Sequence, residues 1–268
     1  MRLVTYAKDG APRAALVRAN EDDELVDLHA ADAQLPHDMN ELLALGPARL
    51  DRVRWAAESS QSIARSAIQL LAPVPRPQKV ICVGLNYADH ARETGKPLPE
   101  EPVFFSKFPT AITAHEAAIR LPRVSSKVDY EAELVAVIGR GGRNIAASKA
   151  LDHVAGYACG HDVSARDWQT GKPGGQWLLG KSFNTFAPLG PELVTADEVG
   201  DAGNLKIELR INGETMQSSS TRELIFPIAE LVAYVSQVCT LVPGDVVEIE
   251  IEKVGLLRNR VVADDTAA

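Results

Sequence analysis

Glu131-Ala132-Glu133 opens a run that continues as Leu134-Val135-Ala136-Val137-Ile138. On a strand, alternate side chains share a face, so both carboxylates point the same way, about 7 Å apart. Two like charges beside an apolar run are costly unless something positive stands between them. A divalent cation answers that need. Magnesium and calcium prefer oxygen ligands, and magnesium keeps waters beside a few carboxylates. A solvent-facing strand edge with two exposed glutamates fits the same spacing. Asp162 ends the run Gly156-Tyr157-Ala158-Cys159-Gly160-His161. It can deliver a third carboxylate from a second strand, or cap the turn that follows. His161 is next to it and points to the other face, so the two do not easily share one metal.

Two more segments carry chemistry. Gly84-Leu85-Asn86-Tyr87-Ala88-Asp89-His90-Ala91-Arg92-Glu93 follows a strand and begins a helix. His90 and Glu93, three apart, lie on one helix face. The pair suits a general base whose imidazole is oriented by a carboxylate, and equally a solvated helix with an ion pair. Lys181 stands alone among small and apolar residues. It can neutralise an anionic intermediate, or sit in an exposed loop. The Gly139-Arg140-Gly141-Gly142-Arg143 run lacks the Lys-Ser/Thr ending of a phosphate loop and reads as a turn. Ser218-Ser219-Ser220-Thr221 reads as a polar loop, and neither GxSxG nor HExxH occurs.

The elements that must hold these groups divide into two sets. Residues 1–72 form a small unit: two short strands around Lys8-Asp9-Gly10-Ala11-Pro12, a short helix with Asn40 as N-cap and Gly46 as C-cap, and a helical stretch over 50–68. Residues 73–78 hold Pro73, Pro75 and Pro77, which cannot continue a helix and mark a linker. Residues 79–268 are strand-rich, with strands over 79–84, 128–138, 154–160, 205–211 and 246–251 and a last one near Leu256-Leu257. Asn212-Gly213 is a turn, and 228–238 is an amphipathic helix. The fold class is β-rich α+β.

The chain has 268 residues, 46% of them hydrophobic and 24% charged, and a formal net charge of −8. The acidic balance argues against a nucleic-acid partner. No run of 18 apolar residues is present, so no membrane span is expected. Cys82, Cys159 and Cys239 are odd in number and far apart, which fits a reduced, cytoplasmic protein.

In their order along the chain, the 83–93 segment, Val128-Asp129-Tyr130-Glu131-Ala132-Glu133-Leu134, Asp162-Val163-Ser164-Ala165-Arg166-Asp167, Gly180-Lys181-Ser182-Phe183, Gly213-Glu214-Thr215-Met216-Gln217 and Leu256-Leu257-Arg258-Asn259 resemble the fumarylacetoacetate hydrolase superfamily. With Gln176-Trp177-Leu178-Leu179-Gly180-Lys181, the resemblance is greatest to its domain-containing protein 2 branch. It implies a mixed β-sandwich roll as catalytic domain, a small N-terminal α+β domain and a homodimer. It implies Mg²⁺, with Mn²⁺ or Ca²⁺ as substitutes, on Glu131, Glu133 and Asp162. His90 and Glu93 become a catalytic dyad on a lid, with Lys181 catalytic beside them. Tyr87, Lys107, Arg166 and Gln169 become substrate-binding residues.

The substrates so implied are 2-oxo acids or their enols. The first reading is hydrolysis of a carbon–carbon bond in an acylpyruvate, through an enolate that the cation stabilises. The alternative is oxaloacetate tautomerisation or decarboxylation, or dioate isomerisation, at the same site. One departure separates this chain from its look-alikes. They carry two Pro-Gly-Asp turns with a Thr-Gly-Thr-Pro loop between them, whereas here Pro243-Gly244-Asp245 stands alone. The expected place of the absent loop is after Leu241, and its loss opens a third reading, a non-catalytic metal-stabilised dimeric scaffold.

Overall fold

The computed structural model describes residues 1–18, 21–46, 50–58, 60–95, 97–248 and 254–264. The chain begins with β1 (Arg2–Lys8), β2 (Ala11–Arg18) and β3 (Glu21–Asp27). Lys8 pairs with Ala11, which leaves Asp9 and Gly10 as a two-residue loop. Both take positive φ, 52° and 78°. That is the backbone a tight right-twisted hairpin needs, and an Asp-Gly pair supplies it at little strain.

After a single turn of helix at Leu28–Ala31 come α1 (Met39–Ala44) and α2 (Leu50–Glu58). The N-cap of α1 is Asp38 rather than the expected Asn40. The Asp38 carboxylate accepts from the Asn40 and Glu41 amides at 2.8 and 3.2 Å, meeting two of the donors that a helix start leaves free. Gly46, at φ 74°, lies just beyond the end. The helix expected over 50–68 stops at Glu58. Ile63–Ala64 and Gln69–Leu71 instead pair with β3 and β1. Ile63, Ile68 and Leu70 pack there against Val4, Tyr6, Val17 and Leu25, and this tertiary burial overrides local helical preference.

The rest of the chain supplies β4 (Val80–Gly84), α3 (Ala88–Thr94), β5 (Val103–Lys107), β6 (Ala132–Ile138), β7 (Val154–His161), α4 (Arg166–Gln169), α5 (Trp177–Lys181), β8 (Leu193–Thr195), β9 (Lys206–Ile211), β10 (Glu214–Ser220), α6 (Ile228–Val238) and β11 (Val246–Glu248). Among the described residues the main sheet has eleven strands. Its path runs from residues 63–64 through β3, β2, β1, β8, β7, β6, β11 and β4 to β5, with residues 69–71 beside β1. Arg2 and Leu3 pair with Val194 and Leu193, so the first strands and the later ones share one sheet.

Both faces of the central strand β6 are buried. Val135 and Val137 pack in one cluster with Leu3, Leu42 and Val53 of the first 72 residues. Leu134, Ala136 and Ile138 pack in the other with Leu231, Val232 and Val235 of α6. A strand covered on both sides reads as a continuous apolar run, as this one does. The strand expected over 128–138 is broken: Val128–Asp129 pairs separately with Ser164–Ala165, and β6 begins at Ala132.

The turn read at Gly139–Arg143 is structural, since Gly142 exchanges backbone hydrogen bonds with Leu241. The 218–221 loop is not a loop, because Ser218, Ser219 and Ser220 belong to β10, paired with β9 across the Asn212-Gly213 turn. Leu256-Leu257 lies outside any strand, and the last strand is Val261–Ala263, parallel to Ile119–Leu121. Of the strand expected over 246–251, residues 246–248 form β11, and the rest lies outside the described residues.

The Leu241–Asp245 turn is a core feature. Leu241 and Asp245 are fully buried, and the Asp245 carboxylate accepts from the amides of Val242 and Lys79. β11 then runs parallel to β4, whose final residue Gly84 opens on the cleft described below. A loop reaching that cleft therefore leaves the chain after Glu248, not after Leu241.

Candidate active site

β6 and β7 are antiparallel, with Ala132 opposite His161 and Glu133 opposite Gly160. The Asp162 amide continues the ladder onto the Glu131 carbonyl at 2.8 Å. Glu131, Glu133 and Asp162 thus share one face. Gly160, having no side chain, leaves room across from Glu133. His161 points to the other face, where its Nε2 is buried without a hydrogen bond. Burial, then the neighbouring Lys107 ammonium, push its pKa down to about 4, so it is neutral.

Two short helices bring cations to this face. The Arg166 guanidinium, on α4, donates to Asp129, Gln169 and Glu131 at 2.8, 2.8 and 2.5 Å. Lys181, at the end of α5, is buried. Its Nζ lies 2.6 Å from both Glu131 Oε2 and Asp162 Oδ2. The helices pack tightly because residue 180 is glycine: a Cβ there would fall 2.6 Å from the Gln169 amide nitrogen. Burial opposes the Lys181 charge, but Asp162 and Glu131 outweigh it and raise the pKa. Burial likewise opposes the Asp162 charge, and Lys107 and Lys181 outweigh it, holding the carboxyl below its ordinary value.

Lys107 takes a different place from the one expected. It does not line the cleft but lies beneath it, almost fully buried. Its ammonium donates to the carbonyls of Val163, Lys181 and Phe186 at 3.1, 2.7 and 2.8 Å. The same ammonium stands 2.6 Å from the buried Asp162 Oδ1, a close ionic contact. Lys107 thus supports Asp162 from below.

The cleft holds about 620 Å³. Its walls include Tyr87, His90, Glu93, Glu131, Glu133, Asp162, Arg166, Gln169 and Lys181, so every expected site residue but Lys107 meets there. His90 Nδ1 is 4.0 Å from Glu93 Oε2, and both side chains are largely exposed on α3. The turn from β4 into α3 carries Leu85 at φ 57°, a left-handed backbone that a leucine adopts only under strain. Asn86 pins that turn by exchanging two hydrogen bonds with the Phe226 backbone.

Three carboxylates offering only oxygen suit a hard divalent cation. Among the described residues no three His, Cys, Asp or Glu side chains converge closely enough to hold an ion as they stand. The Lys181 ammonium lies between Glu131 and Asp162.

The model of the fumarylacetoacetate (FAA) hydrolase C-terminal region matches residues 79–249. The chain belongs to the fumarylacetoacetate hydrolase family. Among its relatives, the mitochondrial oxaloacetate tautomerase FAHD2A of Bos taurus is 50% identical over 250 residues, 92% of this chain and 79% of that protein. The 5-carboxymethyl-2-hydroxymuconate delta-isomerase of Mycobacterium smegmatis superposes with a TM-score of 0.78 at 32% identity, covering 99% of this chain and 100% of the other. A maleylpyruvate hydrolase of Sphingobium sp. SYK-6, solved with manganese(II) and pyruvate, gives 0.81 at 28% identity over 98% and 99% of the two chains. The chain is an enzyme of this superfamily, whose members here span hydrolases and isomerases, and its relatives place it in the domain-containing protein 2 branch.

Sequence reasoning assigned no role to Asp129, Gln217 or Ser219, all of which line the cleft. Asp129 was within reach, since it extends the alternation Asp129, Glu131, Glu133. Gln217 and Ser219 sit on a strand whose one apolar residue, Met216, leaves no alternation to read. Among the described residues no helix is long and apolar enough to cross a membrane.

Proposed function

We propose that the chain interconverts the keto and enol forms of oxaloacetate or a similar 2-oxo acid, with Mg²⁺ held by Glu131, Glu133 and Asp162, and Mn²⁺ or Ca²⁺ as substitutes. One observation carries the reading: a single cleft has the Glu131–Lys181–Asp162 charge cluster and the His90–Glu93 pair on its walls. The relatives' names favour tautomerisation over the hydrolysis placed first by the sequence.

The chemistry divides among few groups. The cation supplies Lewis-acid polarisation of the 2-oxo group when bound. His90 takes the proton from the carbon next to the 2-oxo group, and Glu93 orients the imidazole. Lys181 faces the negative charge that develops on the 2-oxygen, and its burial strengthens that effect. Arg166, Gln169 and Tyr87 orient the substrate. Lys107 acts through Asp162. The proton returns to the oxygen to give the enol, and the reverse sequence regenerates the ketone.

A second reading is hydrolysis of an acylpyruvate, in which His90 activates water for attack on the distal carbonyl. The exposure of His90 and Glu93 favours it, because water reaches them freely. The test follows the ultraviolet absorbance of the enol as oxaloacetate relaxes, with Mg²⁺, in the wild type and in His90→Ala. Acceleration that falls by about 10²–10⁴-fold in the variant supports tautomerisation. No acceleration, together with cleavage of an acylpyruvate, moves the assignment to hydrolysis.

The division into an accessory unit (1–72), a linker (73–78) and a catalytic unit (79–268) belongs to this proposal, as do the homodimer and the cytoplasmic setting. The family match starting at residue 79 supports the division. The unbridged Cys82, Cys159 and Cys239 support a reducing compartment.

A further inference from the structure

β10 contributes Gln217 and Ser219 to the cleft wall, and the chemistry above uses neither. Two apart on a strand, they share a face. Gln217 Oε1 accepts from the Ala132 amide at 3.1 Å, and Ala132 is the residue between Glu131 and Glu133. Ser219 Oγ donates to Asp89 Oδ2 at 2.5 Å. The other Asp89 oxygen accepts from the His90 amide at 2.8 Å. One face of one strand therefore grips the carboxylate strand and the first turn of the helix bearing the base. The grip continues along the same seam, where Tyr87 bridges to Leu224 and Arg92 pairs with Glu223 at 2.7 Å.

We propose that Ser219 and Gln217 are positioning residues that fix the His90 helix at a set distance from Glu131 and Glu133. The proposal rests on the reading that His90 moves the substrate proton. Its physical content is geometric. His90, Arg92 and Glu93 of α3 are exposed, and the Ser219–Asp89 bond ties the first turn of the helix to the hairpin through a charged acceptor. With the bond gone, Asp89 still accepts from the His90 amide within its own helix, but that end of the helix loses its tie to β10. A displacement near 1 Å costs a proton-transfer step about 10²-fold.

The experiment uses the full chain with Mg²⁺ and two readouts, hydrogen exchange over residues 88–95 and the rate of oxaloacetate tautomerisation. In Ser219→Ala, exchange there rises about 10-fold or more, as expected when a hydrogen bond to a charged group is lost. The kcat falls about 10- to 100-fold, while Mg²⁺ affinity by calorimetry holds. Ser219→Thr keeps the hydroxyl and restores both readouts. In a His90→Ala background, Ser219→Ala costs nothing further in rate. Gln217→Ala lowers Mg²⁺ affinity, because it loosens the strand between the two glutamates. Unchanged exchange in Ser219→Ala overturns the proposal, and so does an equal loss of rate with and without His90. If His90→Ala alone keeps wild-type activity, the base assignment fails, and the exchange data decide whether the latch exists.

Discussion

Replacing Lys181 with methionine removes a charge and keeps most of the volume. At 2.6 Å and an effective dielectric of ~20, each contact to Glu131 and Asp162 is worth roughly 6 kcal/mol before desolvation. Burial of the ammonium gives most of that back, and breaking a buried pair costs about 3–5 kcal/mol net. Asp162 keeps Lys107 and Glu131 keeps Arg166, so the low end, about 3 kcal/mol, applies. With about 2.1 cal/mol/K of unfolding entropy per residue over 268 residues, that loss lowers Tm by roughly 5 °C. The assay is thermal denaturation of metal-free protein. Adding Mg²⁺ should then raise Tm more in Lys181→Met than in the wild type, since the cation replaces the missing charge and no ammonium competes with it. Saturation at 100 times Kd returns about 2.7 kcal/mol. The catalytic loss, about 10²–10³-fold, should persist with metal bound, because the Lys181 charge also serves the developing oxyanion. A metal-free variant that melts with the wild type, or one that Mg²⁺ does not stabilise further, refutes the view that Lys181 neutralises the carboxylates proposed to hold the cation.

Glu131→Ala, Glu133→Ala and Asp162→Ala should each weaken Mg²⁺ binding sharply and abolish turnover; unchanged calorimetric affinity in all three discards the ligand assignment. As written, the chain should fold and bind Mg²⁺ but turn over slowly, because among the described residues no wall of the cleft comes from beyond Ser219. A Thr-Gly-Thr-Pro-type loop inserted after Glu248 should raise kcat/KM, whereas the same insertion between Leu241 and Val242 should destabilise the fold by opening the buried turn; full activity of the unmodified chain would show the loop dispensable. Burial opposes the Asp27 charge, but the Ala30 amide and the Tyr6 hydroxyl outweigh it and hold its pKa below the ordinary 3.8. Its contribution is therefore complete above that value and lost as pH falls through the depressed one, so the Tm gap between wild type and Asp27→Ala should be wide at pH 7 and close as acid takes the carboxyl below its depressed pKa; a gap independent of pH contradicts the ionised pairing.

The carboxylate face was legible because Glu131 and Glu133 break an apolar run at period two, and period fixes side-chain direction. Asp162 was legible only as a strand end; its place opposite Glu131 is a matter of register, which no local pattern states. Lys107 was legible as a site residue but not as a buried support, because what surrounds it comes from Val163, Lys181 and Phe186, far along the chain. The helix read over 50–68 failed where Ile63, Ile68 and Leu70 found a sheet to join. The serines of β10 failed as a strand because no residue of β10 is buried, so nothing imposes alternation on it, and only its Asn212-Gly213 turn betrayed it.

The pairing of Arg2 and Leu3 with Val194 and Leu193 limits how this enzyme can be cut. A fragment starting at residue 79 keeps the region that matches the family, yet it exposes β8 as a naked edge beside an apolar surface that Leu42, Val53 and Leu3 had covered. Such an edge recruits whatever strand it meets, including its own copies. The minimal piece suggested by family boundaries is therefore the piece expected to precipitate, and a soluble, smaller version would have to trim loops while keeping the first residues of the chain.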